Sequence, residues 1–205
     1  MFPVHPIGKE LFTCLHRNAS SNPCIQANAV TDRKIEKAGP HMAKEKKQSA
    51  ATDSVANVSV KELVDALNGD LAREYQAIIA YTVYSNVITG AQWMNIAAEL
   101  KLHAAEELQH AMILADQIDY LGGMPTATPK PVKLSKKPED MLRFDLDNET
   151  ETIKNYRQRV KQAETLGHYA LAELIRGIIV QEQNHQHDLA TALGIEVPKV
   201  LDGGA

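Results

Sequence analysis

Four apolar stripes at helical spacing run through residues 59–194, and each is interrupted near its middle by a glutamate. The first reads Val60, Val64, Leu67, Leu71, Glu74, Ile78, Tyr81, Ser85, Ile88, and the second Trp93, Ala97, Leu100, Ala104, Glu107, His110, Leu114, Ile118, Leu121. The third is Leu142, Leu146, Glu149, Ile153, Tyr156, Val160, Ala163, and the fourth Leu171, Ile175, Ile178, Glu182, His185, Leu189, Leu193. Steps of three and four place these side chains on one face of a helix, the face that packs inward. Twice the glutamate is followed one turn on by a histidine, Glu107 by His110 and Glu182 by His185. The fold must therefore be one in which four helices turn carboxylates and imidazoles toward a common interior.

Local signals delimit the helices. Ser59-Val-Lys-Glu62 reads as a capping box, and the first helical pattern runs to about Asn86 or Ile88 before Thr89-Gly90 breaks it. A second helix is expected from near Ala91 to Gly122-Gly123. The stretch GMPTATPKPVKLSKKP holds too many prolines for a helix. Pro138 suits a first turn, with Glu139 and Asp140 at the positive end, so a third helix is expected from Pro138 to Gly167. A fourth runs from about His168 to Leu193, stopped by Gly194. No strand pattern is visible, and no repeat beyond the two Glu-x-x-His turns.

The connections set the topology. Helices one and two, and three and four, are joined tightly and should be antiparallel. The middle connection, about 15 residues, spans roughly 50 Å when extended, against about 45 Å for a 30-residue helix. It is long enough to run the whole bundle and make helices two and three parallel. The expected fold is an all-α, four-helix up-down-down-up bundle with one long crossover.

Domain organisation follows composition. Residues 1–57 carry Pro3, Pro6, Pro23 and Pro40, polar clusters such as RNASSNP and no helical period, and are expected to form a poorly ordered extension. Two other readings stand beside that one. Residues 1–31 contain only one acid, Glu10, as a targeting peptide would, but lack its Arg-rich amphipathic pattern and apolar core. Alternatively the true start is Met42. The bundle is expected over 58–195, with a C-terminal tail at 196–205. The net charge of −4 argues against a general nucleic-acid binder, and no apolar run approaches the roughly 20 residues of a membrane span. Cys14 and Cys24 make neither a disulfide framework nor a zinc set, so a cytoplasmic location is expected.

Four carboxylates gathered in a core repel one another and lose hydration. Protonation relieves this in part; two divalent cations neutralise it fully. Oxygen and imidazole ligands suit Fe(II), Mn(II) or Zn(II), not soft copper, and one Glu from each of two helices plus Glu-x-x-His from the other two is the ligand pattern of dinuclear carboxylate bundles. Glu74, Glu107, Glu149 and Glu182 lie about 15, 16, 11 and 14 residues into their helices, which at ~1.5 Å per residue puts all four near mid-height. A single Glu-x-x-His is ordinarily a solvated surface pair; six such residues at one level are not. Tyr81 and Tyr156 share the stripes and read as core residues with bonded hydroxyls, Tyr81 alternatively as a ligand-binding or electron-donating group. His103 reads as a surface or inner-wall residue, His187 points away from His185, and Glu99 and Glu106 read as solvated.

At these residues the chain resembles the ferritin-like superfamily, and most of all bacterioferritin. The resemblance spans roughly residues 60–194 and includes REYQAIIAY, ELQHAMILADQIDYLGGMPT, EDMLRFDLDNE and EQNHQHDLATALG. It implies that Glu107 and Glu182 bridge two irons, that Glu74 and Glu149 are terminal ligands, that His110 and His185 each serve one iron, and that Tyr81 stands beside the site. Where bacterioferritins carry a haem-ligating methionine this chain has Leu108, so haem of that type is not expected, with Met112 one turn away as an alternative. After Gly194 only IEVPKVLDGGA follows, without the short fifth helix of 24-subunit shells. A homo-oligomer is implied; a dimer, a 12-subunit shell or another cage stays open. The DNA-protecting mini-ferritins place their site between subunits, whereas here one chain supplies every ligand. Lys44, Lys46 and Lys47 could mimic their basic tails but read more simply as solubilising charge.

The resemblance implies a ferroxidase taking Fe(II) and O2 or H2O2, with Glu74, Glu107, His110, Glu149, Glu182, His185 and Tyr81 as its active residues. A rubrerythrin-like peroxidase or oxidase would use the same ligands without storage, and would need an external reductase because no Cys-x-x-Cys module is present. A metal-buffering bundle holding Zn or Mn is the non-enzymatic alternative.

Overall fold

In the computed structural model, residues 58–200 are described; the expected extension at 1–57, with Met42 and both cysteines, and residues 201–205 of the expected tail lie outside the described residues. The helices are Val60–Val87 (α1), Met94–Tyr120 (α2), Pro138–Thr165 (α3) and Tyr169–Leu193 (α4). Each bound falls within a few residues of its sequence signal. The expected capping box closes α1: Ser59 Oγ accepts from the Glu62 amide at 3.2 Å, and the Ser59 amide donates to Glu62 Oε2 at 2.8 Å. Ala91–Trp93 form a single 3-10 turn, so α2 proper begins later than the sequence suggests. Such tight turns are a common way to enter a helix. The α2 terminus needs both of its glycines. Gly122 takes a φ of +79°, which L-residues rarely adopt, and a Cβ on Gly123 would lie 2.5 Å from Val64 Cγ1.

The crossover climbs α1 from foot to head. Asn68 donates to the Met124 carbonyl at 3.2 Å and accepts from the Thr126 amide at 2.7 Å. Above it the Lys130 amide meets the Ala72 carbonyl and Gln76 the Pro131 carbonyl, each at 2.8 Å, and the Tyr84 hydroxyl donates to the Lys133 carbonyl. The loop thus arrives beside the end of α1 before α3 begins, which makes α2 and α3 parallel. Cross-helix partners fix the remaining directions. Asp70 meets Arg159 and Tyr81 meets Glu149 between α1 and α3, while His103 meets Asp188 and His110 meets Gln181 between α2 and α4. In both sets one number rises as the other falls, so both pairs are antiparallel. The up-down-down-up bundle is as expected, and no strand occurs among the described residues.

The core is divided into two. One cluster gathers Leu63, Leu67, Leu71, Leu114, Ile118, Ala163, Leu171 and Ile175; the other gathers Tyr84, Ile88, Ile96, Leu100, Met141, Leu142, Leu146 and Leu189. Removing one such buried leucine typically costs about 2–5 kcal/mol, so each half is a substantial anchor. Between them lies a polar layer. Val60 begins its stripe but is 39 % exposed. The inward role belongs instead to Leu63, fully buried one turn on.

Candidate metal centre

All six predicted ligands meet in the polar layer, and each is 0–2 % exposed. His110 Nδ1 lies 3.1 Å from Glu107 Oε2, 3.1 Å from Glu182 Oε1 and 3.5 Å from Glu74 Oε2. His185 Nδ1 lies 2.9 Å from Glu107 Oε1 and 3.6 Å from Glu182 Oε2. Their potential ligand atoms fall into two groups: Glu74, Glu107, His110 and Glu182, and Glu107, Glu149, Glu182 and His185, with the atoms of each group within 4.8 Å of one another. Glu107 and Glu182 belong to both groups. Glu74 and Glu149 each belong to one, as does each histidine.

Hydrogen bonding leaves this layer incomplete. Glu74 Oε2, Glu107 Oε1, both Glu182 oxygens and His185 Nδ1 are buried without a hydrogen-bond partner. Buried polar atoms are rarely left so. Five of them face one pocket, and the donor set of carboxylate oxygen and imidazole nitrogen fits divalent first-row metals.

Electrostatics without a cation point the same way. Burial, then the charges of Glu107 and Glu182, push the Glu74 carboxyl well above the usual range; burial, then Glu182 and Glu107, do the same to Glu149. Burial alone would raise Glu107 and Glu182 also. The imidazoles of both histidines close by, with Glu74 for Glu107 and Glu149 for Glu182, instead hold those two low. Burial opposes charge on the imidazoles, but Glu107 and Glu182 outweigh it, raising His110 strongly and His185 to about 10. Without a cation, the two outer carboxyls and both imidazoles are thus all shifted toward their protonated forms.

Around this layer the structure adds residues that stripe reading did not identify. Glu106, expected to be solvated, is half-buried and takes His185 Nε2 on its Oε2 at 2.8 Å. Gln181 receives His110 Nε2 on its Oε1 at 2.9 Å. Each thus orients the other helix's histidine so that Nδ1 faces the pocket. Tyr81 donates to Glu149 and Tyr156 to Glu74, both across the bundle. His103, left between surface and inner wall by the sequence, is 3 % exposed, and its ring stacks on that of His185 with centroids 4.0 Å apart. His187 is exposed, as expected.

These contacts obey one rule. Glu74 and Glu149, Tyr81 and Tyr156, Glu106 and Gln181, Glu107 and Glu182, and His110 and His185 are all separated by the same 75 positions. The repeat is wider than the two Glu-x-x-His turns suggest: each helical hairpin supplies half of a pocket with approximate two-fold symmetry, and each half completes the other.

Comparison with known proteins agrees with this architecture. The ferritin-like domain matches residues 64–196. A bacterioferritin of Desulfovibrio desulfuricans is 30 % identical over 125 residues, covering 60 % of this chain and 70 % of that protein. A crystal structure described as ferritin-like, diiron-carboxylate proteins from Bacillus anthracis superposes with a TM-score of 0.63 at 36 % identity, over 65 % of this chain and 96 % of that one. Rhodobacter capsulatus bacterioferritin, at 24 % identity and a TM-score of 0.60 over 65 % of this chain and 84 % of that one, shares the fold. A matched domain spanning all four helices, and a bundle of the same shape built around a carboxylate layer, make this chain a member of the ferritin-like family.

Proposed function

We propose that the protein is a ferroxidase of the ferritin type, with Fe(II) as substrate and O2 or H2O2 as oxidant. The observation that carries the reading is the pair of four-residue clusters sharing Glu107 and Glu182. In this reading those two carboxylates bridge two ions, Glu74 and Glu149 close the outer sides, and His110 and His185 each bind one ion through Nδ1. Two ferrous ions held side by side supply two electrons together, which avoids release of a one-electron radical. Mn(II) or Zn(II) fits the same donors, so iron is distinguished by its redox chemistry rather than by the ligand set.

The surrounding residues serve this arrangement. Glu106 and Gln181 hold the imidazole rings, the support that metal-ligating histidines usually receive from an outer partner. Tyr81 and Tyr156 keep one oxygen of each outer carboxylate hydrogen-bonded. Metal entering a pocket that favours the protonated forms of these groups would displace protons. Haem is no part of this reading, since Leu108 offers no ligand atom. Among the described residues no helix is long and apolar enough to cross a membrane.

The direct test is to load the protein with Fe(II) anaerobically and then admit air. The wild type should consume oxygen and form Fe(III) quickly, and Glu107→Ala should fall to the rate of free Fe(II). Equal rates for the two would remove the ferroxidase assignment. Assembly separates storage from a peroxidase role: sedimentation should reveal a closed homo-oligomer that retains many irons per chain.

A further inference from the structure

The chain turns back at Gly194, where the Ile195 amide closes on the Ala190 carbonyl at 3.0 Å, and residues 195–200 then lie along α3 and α4. Two side chains hold them there. Gln186 donates through Nε2 to the Pro198 carbonyl at 3.3 Å, and Arg157 through Nη1 to the Val200 carbonyl. The same Gln186 nitrogen donates to Thr150 Oγ1 at 2.9 Å, and Thr150 donates in turn to the Leu146 carbonyl at 2.7 Å. Tail, α4 and α3 are thereby tied at one knot, whose centre, Gln186, is 4 % exposed. The knot stands at the level of the pocket. Gln186 follows His185, Thr150 follows Glu149 and Arg157 follows Tyr156. A step of one residue turns about 100° around a helix, so an inward-facing side chain and a tail-facing one share each turn. Glu149 and His185 belong to the same four-residue cluster, with Glu107 and Glu182.

The approximate two-fold symmetry shows what the knot adds. At the positions 75 residues before Thr150, Arg157 and Gln186 stand Tyr75, Thr82 and Ala111. Ala111 and Tyr75 join an apolar cluster, and Thr82 is exposed. Apolar packing therefore suffices to hold α1 against α2 beside Glu74 and His110. The α3–α4 hairpin instead carries Glu149 and His185 on turns fixed by directional bonds. Packing alone does not require that difference.

We propose that residues 195–200, with Gln186, Thr150 and Arg157, form a positioning clamp for one metal ion of the pair, the one bound by Glu149 and His185. The inference rests on the two-ion reading of the pocket. The clamp touches neither ion. It fixes the separation of α3 and α4 at the two turns whose carboxylate and imidazole must meet at a single ion. Metal–ligand bonds of about 2.0–2.2 Å leave little room for those turns to drift apart. The ion held by Glu74 and His110 draws its outer ligands from α1 and α2 and does not depend on the clamp.

The test is an anaerobic Co(II) titration of the full chain, with the affinity of each ion read by competition against a chelator. Thr150→Val and Gln186→Leu keep bulk and lose the bonds. Each should weaken one ion by about 10-fold and leave the other unchanged, and deletion of residues 197–205 should do the same. Thr150→Ser keeps the hydroxyl and should bind as wild type. Two backgrounds identify the ion: Gln186→Leu should weaken the ion that remains in Glu74→Gln and leave unchanged the one that remains in Glu149→Gln. Circular dichroism checks that every variant stays helical. Equal weakening of both ions, or no change in either, overturns the clamp while the two-ion centre stands. No change on deletion alone overturns the part assigned to the tail. A wild type that binds no Co(II) overturns the two-ion centre and the clamp with it.

Discussion

Tyr81 on α1 donates its hydroxyl hydrogen to the carboxylate of Glu149 on α3. Because Tyr156 returns the same bond to Glu74, each outer carboxylate is held by the hairpin that does not carry it. Outer partners of this kind typically contribute about 10–100-fold to metal affinity or activity. Tyr81→Phe and Tyr156→Phe should each lower Co(II) affinity by at least about 10-fold, as read by competition with a chelator. If Tyr81 instead acts as an electron donor, its variant will change the rate of Fe(II) oxidation while leaving affinity unchanged.

The histidine supports invite a matched pair of substitutions. Glu106→Ala frees His185 and Gln181→Ala frees His110, through the bonds at 2.8 and 2.9 Å. Each should weaken metal binding by about 10–100-fold, and symmetry predicts losses of similar size. The Glu106 variant should lose more when His103 is also changed, because stacking is then the remaining restraint on His185. A double-mutant cycle measures that coupling.

The upward shifts in the pocket make the metal-free protein sensitive to alkali. His185 is raised from 6.5 to about 10, so its stabilising contribution is complete below pH 6.5 and is lost as pH rises toward 10. Glu74 and Glu149 are raised too, and act with the same sign. The melting temperature of the metal-free protein should therefore fall from about pH 6.5 to 10. Saturating Zn(II) should flatten that fall, and its binding near neutral pH should release protons measurable with an indicator dye.

Asp145 offers a cleaner case, because it is not among the proposed ligands. It is buried, its Oδ2 has no partner, and burial followed by the charge of Glu107 pushes its carboxyl well above the usual range. Its counterpart across the symmetry, Asp70, has Arg159 at 2.7 Å; the position equivalent to Arg159 is Tyr84. Asp145→Asn keeps the shape of the side chain and removes its titration. The variant should gain stability relative to wild type as pH rises, because wild type must then ionise a carboxyl that burial disfavours. Chemical denaturation at acid and alkaline pH checks this.

Asp70 and Arg159 form a buried pair, and removing one partner strands the other. Arg159→Ala should cost about 3–5 kcal/mol, and Asp70→Leu/Arg159→Met should recover most of it.

The four helices and the burial of the six candidate ligands were legible because both depend on periodicity within one chain segment. A step of three or four identifies a buried face whatever that face meets. Glu106 and Gln181 were not, because they sit one residue before a motif glutamate, about 100° around the helix, and their partners lie on another helix. His103 belongs to the same class: its burial depends on His185 beside it. Asp70 and Asp145 escaped for a smaller reason, since a stripe stepping from Leu67 to Leu71, or from Leu142 to Leu146, passes over the i+3 position on the same face. The 75-residue offset would have revealed Glu106 and Gln181 together, as the pair that precedes the two motif glutamates.

The central claim is that Glu107 and Glu182 are shared by two metal ions in one pocket. Crystals grown without metal and soaked anaerobically in Mn(II) test it most directly by anomalous scattering. The account predicts two peaks about 3.5–4 Å apart, with Glu107 and Glu182 between them and one histidine on each. A single peak, or two peaks that do not share those carboxylates, would contradict it.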